Sequence, residues 1–524
     1  MTKKKSTRSG SLLDDILADP ANDHARDVYA DQLDKDGETD RANLIRIQLK
    51  LASLPAWDAQ VIALQLQERA LLEQHAEEWR VHLPEVGNVR WGGFTRGFVG
   101  TVAFEDFASF DKHIDAFTKL TPIQRISLHW PAGGKAPKLA PIATLRELTM
   151  VGSVMRQEDM KWLASCPLLS TLRTLTLLDS DLAAGLPHLL KSPHLGQLEA
   201  LRLPLHSCGN AGIKKLVAAN LPKLVELDLS TTPNPGGGSS GYSGGSDYNY
   251  GRRYNNRSTS ITSKGMLELQ AWQGLPNIRT LDLSGCRLGK EGLLMLLASG
   301  NSKGVKTLRI RAIKDGEWDM DDSLSAFKHG PPGTLEELDI GGNDLDPEGA
   351  HFLAEGKASR ELKVLRMDGV RSSTYDRLAK GSWVRTSLRV LACGAEALPH
   401  FIARRPEQLH TLKITTSEVP LSKVVHHLAD DPPPALRVLD LSSARVDDDS
   451  LAKLGQARLP ELQAIMLPHT RAHFSVASVT ALAGSRLGKQ VACFDAGADK
   501  LDKLAAPEPV DIGDGDYEGP YRYI

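Results

Sequence analysis

A six-residue apolar pattern recurs along most of this chain and limits what the chain can fold into. Apolar residues fill the first, fourth and sixth positions of twelve such hexads, and most hexads begin 26 or 27 residues apart. The hexads start at Leu145, Leu172, Leu198, Leu224, Ile278, Val305, Leu335, Leu362, Leu388, Leu409, Leu436 and Leu462. Two weaker copies start at Val99 and Ile123. A unit of this size cannot bury its apolar face alone, so the pattern predicts a stack of similar coils.

The fullest copy predicts a short strand, a turn and a helix. It reads LEELDIGGNDLDPEGAHFLAEG, with Asn343 five residues after Leu338 and Gly349 at the expected start of the helix. This unit resembles the leucine-rich repeat family, in the longer, helix-containing form seen in ribonuclease inhibitor. The resemblance covers about residues 95–495 and implies an α/β solenoid with parallel strands on the concave face and helices on the convex face.

One long interval between hexads indicates an insertion. The fourth-position leucine precedes the helix-opening glycine by 11 residues in Leu201 to Gly212, but by 38 residues in Leu227 to Gly265. The excess lies at about 232–258, where Gly, Ser, Asn and Tyr dominate and too few apolar residues occur to form a core. We therefore expect a flexible loop where the chain leaves a strand.

The first hundred residues have a helical period instead. Apolar residues at three- and four-residue spacing predict four amphipathic helices within residues 11–94. The segment also resembles the repeat-companion domain of bacterial leucine-rich-repeat proteins, through Pro20, Asp23, Arg26, Tyr29, Ala30, Asp31, Leu33, Gly37, Ile45, Arg46, Gln48, Trp79, Arg96, Gly97 and Phe98. The resemblance implies a bacterial source and no established catalytic activity, and we expect an α-helical cap over the first coil.

Composition narrows the class of protein. The formal net charge is −2, which gives no general attraction to nucleic acids or anionic membranes. Five scattered cysteines and a first segment without an apolar signal core favour a reduced, cytoplasmic setting. We expect disorder at residues 1–10 and a separate C-terminal tail at 496–524.

The fifth hexad position should point outward from the strands. It holds charged residues in eight coils, which are Arg202, Asp228, Asp282, Arg309, Asp339, Arg366, Lys413 and Asp440. Strands in register would set four of them side by side with alternating sign. Two interpretations stay open: a self-neutralising row that keeps the sheet soluble, and a binding footprint for a protein partner.

The predicted loop concentrates aromatic and basic side chains. Its candidate partner-binding residues are Tyr242, Tyr248, Tyr250, Arg252, Arg253 and Tyr254. Tyrosine among Gly, Ser and Asn makes adaptable contacts, as in antibody loops, and it can also stack on bases. A passive low-complexity insertion is the alternative.

No catalytic constellation, cofactor motif or metal-ligand spacing emerges from the sequence. We therefore predict a non-enzymatic scaffold that binds another protein on its concave face and loop, with no membrane partner. One alternative is an enzyme or regulator whose activity resides in the helical domain while the repeats select its target. A second is single-stranded nucleic-acid binding by the loop, which the net charge makes the weaker choice.

Overall fold

The chain forms two compact units. The computed structural model describes residues 7–129, 141–151, 157–178, 182, 184–205, 208–231, 260–313, 322–330, 333, 335–371, 373–415, 419, 421–468 and 474–495. The first unit contains the described residues up to Leu229, and the second contains Ser230, Thr231 and the described residues from Ser260 onward.

The first unit begins with helices and continues as strand–helix coils. Its helices are α1 (Thr7–Ala18), α2 (Asp23–Asp36), α3 (Thr39–Ser53), α4 (Ala59–Arg80), α5 (Phe107–Phe117), α6 (Gln157–Ser165), α7 (Leu186–Leu189) and α8 (Gly209–Val217). Its strands are β1 (Val89–Trp91), β2 (Phe94–Thr95), β3 (Phe98–Val99), β4 (Thr101–Phe104), β5 (Arg125–His129), β6 (Glu147–Val151), β7 (Thr174–Leu178), β8 (Ala200–Arg202) and β9 (Glu226–Asp228). Strands β4 to β9 pair in chain order and in parallel.

The second unit repeats the coil without an amino-terminal helical region. Its strands are β10 (Thr280–Asp282), β11 (Thr307–Arg309), β12 (Glu337–Asp339), β13 (Val364–Met367), β14 (Val390–Gly394), β15 (Thr411–Thr415), β16 (Val438–Ser443), β17 (Ala464–Met466) and β18 (Cys493–Asp495). The helices are α9 (Ser263–Gln270), α10 (Gly289–Ala298), α11 (Pro347–Glu355), α12 (Tyr375–Leu378), α13 (Ser382–Thr386), α14 (Leu398–Ile402), α15 (Val425–Asp430), α16 (Asp448–Gln456), α17 (Val476–Gly484) and α18 (Arg486–Gln490). All adjacent strands from β10 to β18 are parallel.

The hexads form the strands, as predicted, and their leucines form the core. Fourth-position residues such as Leu175, Leu281 and Leu412 are fully buried, while the residues on either side of them face away from the helices. We call that outward side of the strands the strand face. The predicted α/β fold of stacked strand–helix coils with an amino-terminal helical region is confirmed.

One asparagine joins adjacent coils through the backbone. Asn343 is completely buried, and its Nδ2 donates hydrogen bonds to the carbonyls of Ile310 (2.8 Å) and Ile340 (2.9 Å). Its Oδ1 accepts a hydrogen bond from Ile313 N at 2.9 Å. Cys286, which occupies the corresponding position after β10, is buried as well. These bonds satisfy backbone groups that would otherwise be buried without partners.

Two features at the start of the first unit differ from the prediction. Helix α1 begins at Thr7, inside the segment for which we expected disorder. Strand β1 carries no hexad, yet it pairs antiparallel with β4 and covers that edge. The predicted insertion at 232–258 and the tail at 496–524 lie outside the described residues.

The residues that carry the resemblance to the repeat-companion domain build the contact between the helices and the β2–β3 hairpin. Arg26 is almost fully buried and donates to the carbonyls of Pro20 (2.8 Å) and Arg96 (2.8 Å). Its guanidinium lies 5.2 Å from the ring centre of Phe98, and Tyr29 packs on the same ring. Burial lowers the pKa of Arg26 to about 10, which still leaves it charged at neutral pH.

Gln48 stabilises the turn of this hairpin through two hydrogen bonds. Its Oε1 accepts a hydrogen bond from Gly97 N at 2.5 Å, and its Nε2 donates to Phe94 O at 3.0 Å. Gly97 has a φ of +85°, and a Cβ atom there would collide with Ile45 of α3. The turn therefore requires glycine for its backbone conformation and for the close approach of the helix.

We predict that Gly97→Ala lowers the free energy of unfolding by about 3 kcal/mol, because a strained φ and an overpacked contact add together. Gly93→Ala is the matched control, since a Cβ at Gly93 meets no atom within 4 Å. Chemical denaturation of both variants measures the difference. Equal losses of stability would contradict this account of the hairpin.

Candidate functional site

The outward charges of the second unit lie in register, as the sequence predicts. On neighbouring strands, Asp282 lies in register with Arg309, Arg309 with Asp339, and Asp339 with Arg366. Lys413 likewise lies beside Asp440, with their charged atoms 3.2 Å apart. The alternating row therefore exists.

The carboxylates of this row point into the protein more than we expected. Asp282, Asp339 and Asp440 are each less than 5% exposed. Each one accepts, at 2.9 Å, a hydrogen bond from the backbone N–H two residues further on, which is that of Ser284, Gly341 or Ser442. Asp282 and Asp339 end β10 and β12 and hold the turns that follow, whereas Asp440 accepts its hydrogen bond inside β16. All three offer little surface to a partner.

The arginines of the row are bound by a glutamate that the sequence analysis did not single out. Glu337 occupies the third hexad position of β12, and its carboxylate forms ion pairs with Arg309 (3.3 Å) and with Arg366. Its side chain is 15% exposed. Burial alone would raise the pKa of Glu337, but Arg366 and Arg309 outweigh it and lower that pKa below its ordinary value.

Arg311 extends this charge cluster beyond the end of β11. Its guanidinium lies 2.5 Å from Asp368 and 3.5 Å from Asp339. Burial raises the pKa of Asp339, and Arg311 only partly offsets that effect. The self-neutralising interpretation is thus realised here, and a binding role for Asp282, Arg309, Asp339 and Arg366 stays a prediction.

The first unit presents a more open and less charged strand face. Ser127, Thr149, Thr176, Arg202 and Asp228 lie side by side on β5 to β9, and all five are half-buried. Within the described residues, none of the three hydroxyls at Ser127, Thr149 and Thr176 has a hydrogen-bond partner. We call these three side chains the hydroxyl row.

Arg202 is less available than its position suggests. It makes two hydrogen bonds to Glu226 on β9, one from Nε at 2.5 Å and one from Nη2 at 3.2 Å. Glu226, like Glu337, stands at the third hexad position. Examining the third position together with the fifth would have revealed both glutamates, because strands in register bring the two positions of adjacent coils together.

The charged residues of the helical region also have structural partners. Arg46 on α3 binds Asp31 (2.7 Å) and Asp34 (2.8 Å) on α2, which are the inter-helix ion pairs that amphipathic helices commonly form. Arg41 lies between aromatic rings, 4.8 Å from Trp79 and 5.0 Å from Phe94, and burial lowers its pKa to about 10.

The described residues contain no group of three or more His, Cys, Asp and Glu side chains placed to hold a metal ion. All five cysteines are free and buried, and burial raises the pKa of Cys208 to about 12. Such thiols are poor nucleophiles at neutral pH. Among the described helices, none combines the length and apolar content needed to cross a bilayer. The candidate residues Tyr242, Tyr248, Tyr250, Arg252, Arg253 and Tyr254 lie outside the described residues.

We predict that Glu337→Gln lowers the free energy of unfolding at pH 7 by about 2 kcal/mol, because two arginines lose their charged acceptor. The pKa of Glu337 is lowered in the folded protein, so its charge stabilises the fold above the unfolded pKa of about 4.3. That stability disappears as the pH falls through the folded pKa, and the difference from the unmodified protein should shrink there. Denaturant melts between pH 7 and pH 3 measure it.

Glu336→Gln is the control for this prediction. Glu336 is more exposed, at 28%, and its ion pairs are with Lys363 (3.0 Å) and Lys306 (3.7 Å). We expect a loss below about 1 kcal/mol. An effect at Glu336 as large as that at Glu337, or a Glu337 effect that persists in acid, would show that this ion-pair account is wrong.

Comparison with known proteins finds a family match in two stretches of the second unit. A family model described as Leucine Rich repeat matches residues 274–297 and 334–354. No curated protein matches the chain. Among solved structures, an internalin from Listeria monocytogenes is similar, with 15% sequence identity, a TM-score of 0.34, and coverage of 68% of this chain and 84% of that chain.

Proposed function

We propose that this leucine-rich-repeat protein is a non-enzymatic scaffold that binds another protein through the strand face of its first unit. The observation that carries the proposal is the hydroxyl row of Ser127, Thr149 and Thr176. Three hydroxyls without internal partners stand on adjacent strands, next to Arg202 and Asp228.

The dimensions of the row suit a protein rather than a small molecule. Five strands in register about 4.8 Å apart spread these side chains over about 19 Å. The strands are fixed by backbone pairing, so a partner would meet a rigid surface that costs little ordering on binding. Hydroxyls can donate and accept, and they bind without the desolvation penalty that a buried charge carries.

Three further parts of the proposal follow from the sequence. The helical region acts as a cap of the repeat-companion kind, which is supported by the contact of Arg26 and Gln48 with the β2–β3 hairpin. A cytoplasmic location is supported by the free, buried cysteines. The Tyr- and Arg-rich segment at 232–258 contributes contacts to the same partner.

We predict that Thr149→Arg together with Thr176→Arg abolishes partner binding, because two long charged side chains then stand in the middle of the hydroxyl row. Immobilised protein is incubated with a lysate of the source cells, and the retained proteins are quantified by mass spectrometry. At least one protein should be retained by the unmodified chain and reduced at least tenfold by the double variant, a loss of about 1.4 kcal/mol or more.

The matched control adds the same charges on the helix side of the coil between β6 and β7, the two strands that carry Thr149 and Thr176. Ser165 ends α6 and Ser170 lies in the short 3-10 segment that follows, and both are exposed. Ser165→Arg with Ser170→Arg should leave retention unchanged. Loss of retention in both double variants, or in neither, would remove the hydroxyl row from the binding site.

Reversal of Arg309 and Arg366 to glutamate is a poor test of partner binding. From sequence alone, that change is expected to leave the melting temperature unaltered. In the structure both arginines bind the largely buried Glu337, so reversal would leave three carboxylates together and lower the stability of the fold.

A further inference from the structure

A second row of outward positions crosses the second unit where its strands end. It lies two residues beyond the fifth hexad position, and on five adjacent coils it holds Arg311, Gly341, Asp368, Gly394 and Thr415. Gly394 and Thr415 lie in register on β14 and β15. Past the ends of β11 to β13 the backbone keeps the register, because Ala312 N donates to Gly341 O and Gly342 N donates to Asp368 O, each at 2.9 Å. We call these five residues the exit row.

A glycine in the exit row leaves a place that a neighbouring side chain can fill. At Gly341 this place is filled by the guanidinium of Arg311, which lies where a Cβ atom would be. Arg311 reaches across β12 in this way to Asp368, whose carboxylate is 2.5 Å away. The glycine therefore allows an ion pair between two strands that are not adjacent.

The second glycine of the exit row is covered by a carboxylate. After β14 the chain turns, with Ala397 N donating to Gly394 O at 3.1 Å, and Glu396 folds back toward the strand. A Cβ atom at Gly394 would lie 2.5 Å from Glu396 Oε1 and 2.9 Å from Glu396 Oε2. The carboxylate of Glu396 therefore stands in the row between Asp368 and Thr415.

The charges of this cluster do not balance. Arg311 is shared between Asp368, at 2.5 Å, and Asp339, at 3.5 Å. Arg366 also attracts Asp339, but its ion pair is with a glutamate of β12. Within the part of the chain that the structure describes, Glu396 has neither an ion pair nor a side-chain hydrogen bond. One guanidinium thus faces three carboxylates.

Two buried oxygen atoms at this point lack a partner. Glu396 Oε2 and Thr415 Oγ1 are both shielded from water, and neither has a hydrogen-bond partner among the described residues. Thr415 is 8% exposed as a whole, and its register with Gly394 puts its side chain on the same side of the sheet as the carboxylate. Buried polar atoms without partners are costly, so the site calls for a group that both oxygens can share.

The thiol of Cys393 shows that the two unbalanced carboxylates lie close together. Burial raises the pKa of this thiol, and the charges of Glu396 and Asp368 raise it further. Cys393 precedes Gly394 and lies in register with Met367, the residue before Asp368. Two carboxylates that act on one sulfur atom from neighbouring coils repel each other unless a positive charge lies beside them.

A cation would supply what this cluster lacks. A water molecule could form hydrogen bonds with Glu396 and Thr415, but it would leave the negative charge uncompensated. The available ligands are carboxylate and hydroxyl oxygens, which suit hard cations such as Ca²⁺ and Mg²⁺. The side chain of Asp368 is 19% exposed, so water can reach the site and supply further ligands.

We propose that Asp368, Glu396 and Thr415 bind a hard divalent cation, Ca²⁺ or Mg²⁺, at the end of β14. The cation compensates the excess negative charge and joins the ends of β13, β14 and β15 through their side chains. Because the third ligand is a hydroxyl, the site differs in composition from the groups of three His, Cys, Asp and Glu side chains that are absent from the described residues. It lies in the second unit and does not depend on the hydroxyl row.

Calorimetric titration of the full-length chain after treatment with a chelator tests the site. CaCl₂ and MgCl₂ are titrated separately at physiological ionic strength, and at least one of them should bind at a single site and raise the melting temperature. Glu396→Gln should weaken that binding by about tenfold or more, because it removes a charged ligand. Glu361→Gln is the matched control and should leave the affinity unchanged, since Glu361 is exposed and has no ion pair among the described residues.

The sign of the stability change separates a cation site from an ordinary structural carboxylate. In chelator, Glu396→Gln should raise the melting temperature, because it removes the repulsion between Glu396 and Asp368. With saturating cation, the same variant should melt at a lower temperature than the unmodified chain. A lower melting temperature under both conditions would overturn the proposal, because Glu396 would then have a favourable internal partner.

Gly394→Ala displaces the carboxylate without removing a ligand from the chain. The three atoms nearest to the new Cβ all belong to the end of the Glu396 side chain, which can swing away. The variant should therefore keep its melting temperature in chelator and lose cation binding, and Thr415→Val should weaken the binding to a smaller degree. Failure of both cations to bind the unmodified chain would overturn the proposal. So would binding that Glu396→Gln and Gly394→Ala leave unchanged, which would show an adventitious ion only.

Discussion

Burial of the hexad leucines between adjacent coils is the interaction on which each unit of this protein depends. One coil contributes only a strand of a few residues and one short helix, and its leucines are buried only when the next coil lies against them. The backbone follows from that packing, because Leu281, Leu308 and Leu338 can stack only if their strands run parallel and in register. An edge without a neighbour needs another solution, which β1 provides for β4 by pairing antiparallel with it.

Fixed register has a direct electrostatic consequence on the strand face. It brings Arg309 and Arg366 to either side of Glu337, where the surrounding side chains exclude most water. Charges in that setting must be paired with each other, since leaving one unpaired costs several kcal/mol. In the most highly charged part of the strand face, the charged side chains therefore neutralise one another. The hydroxyls of Ser127, Thr149 and Thr176 are uncharged and do not need an oppositely charged neighbour, so they are better candidates for recognition.

The sequence predicted the strands well because leucines at fixed spacing have only one way to be buried. It predicted the row from Asp282 to Arg366 for the same reason. It did not reveal that Asp282, Asp339 and Asp440 turn toward the backbone, because the sequence around an outward aspartate is the same whether its carboxylate faces a partner or accepts a hydrogen bond from its own backbone. Strand β1 was missed because an antiparallel edge strand needs no hexad, and the start of α1 was missed because short terminal segments carry weak signals.

The residues that mark the resemblance of the helical region to a companion domain have structural roles. Arg26, Gln48 and Gly97 are among these residues, and Arg26 and Gln48 each make hydrogen bonds to backbone groups of the β2–β3 hairpin. Gly97 completes the contact because no side chain fits between it and Ile45. A helical region that uses its distinctive residues to grip the first strands is suited to cap the repeats. An enzymatic activity in the helical region would have to use residues other than these.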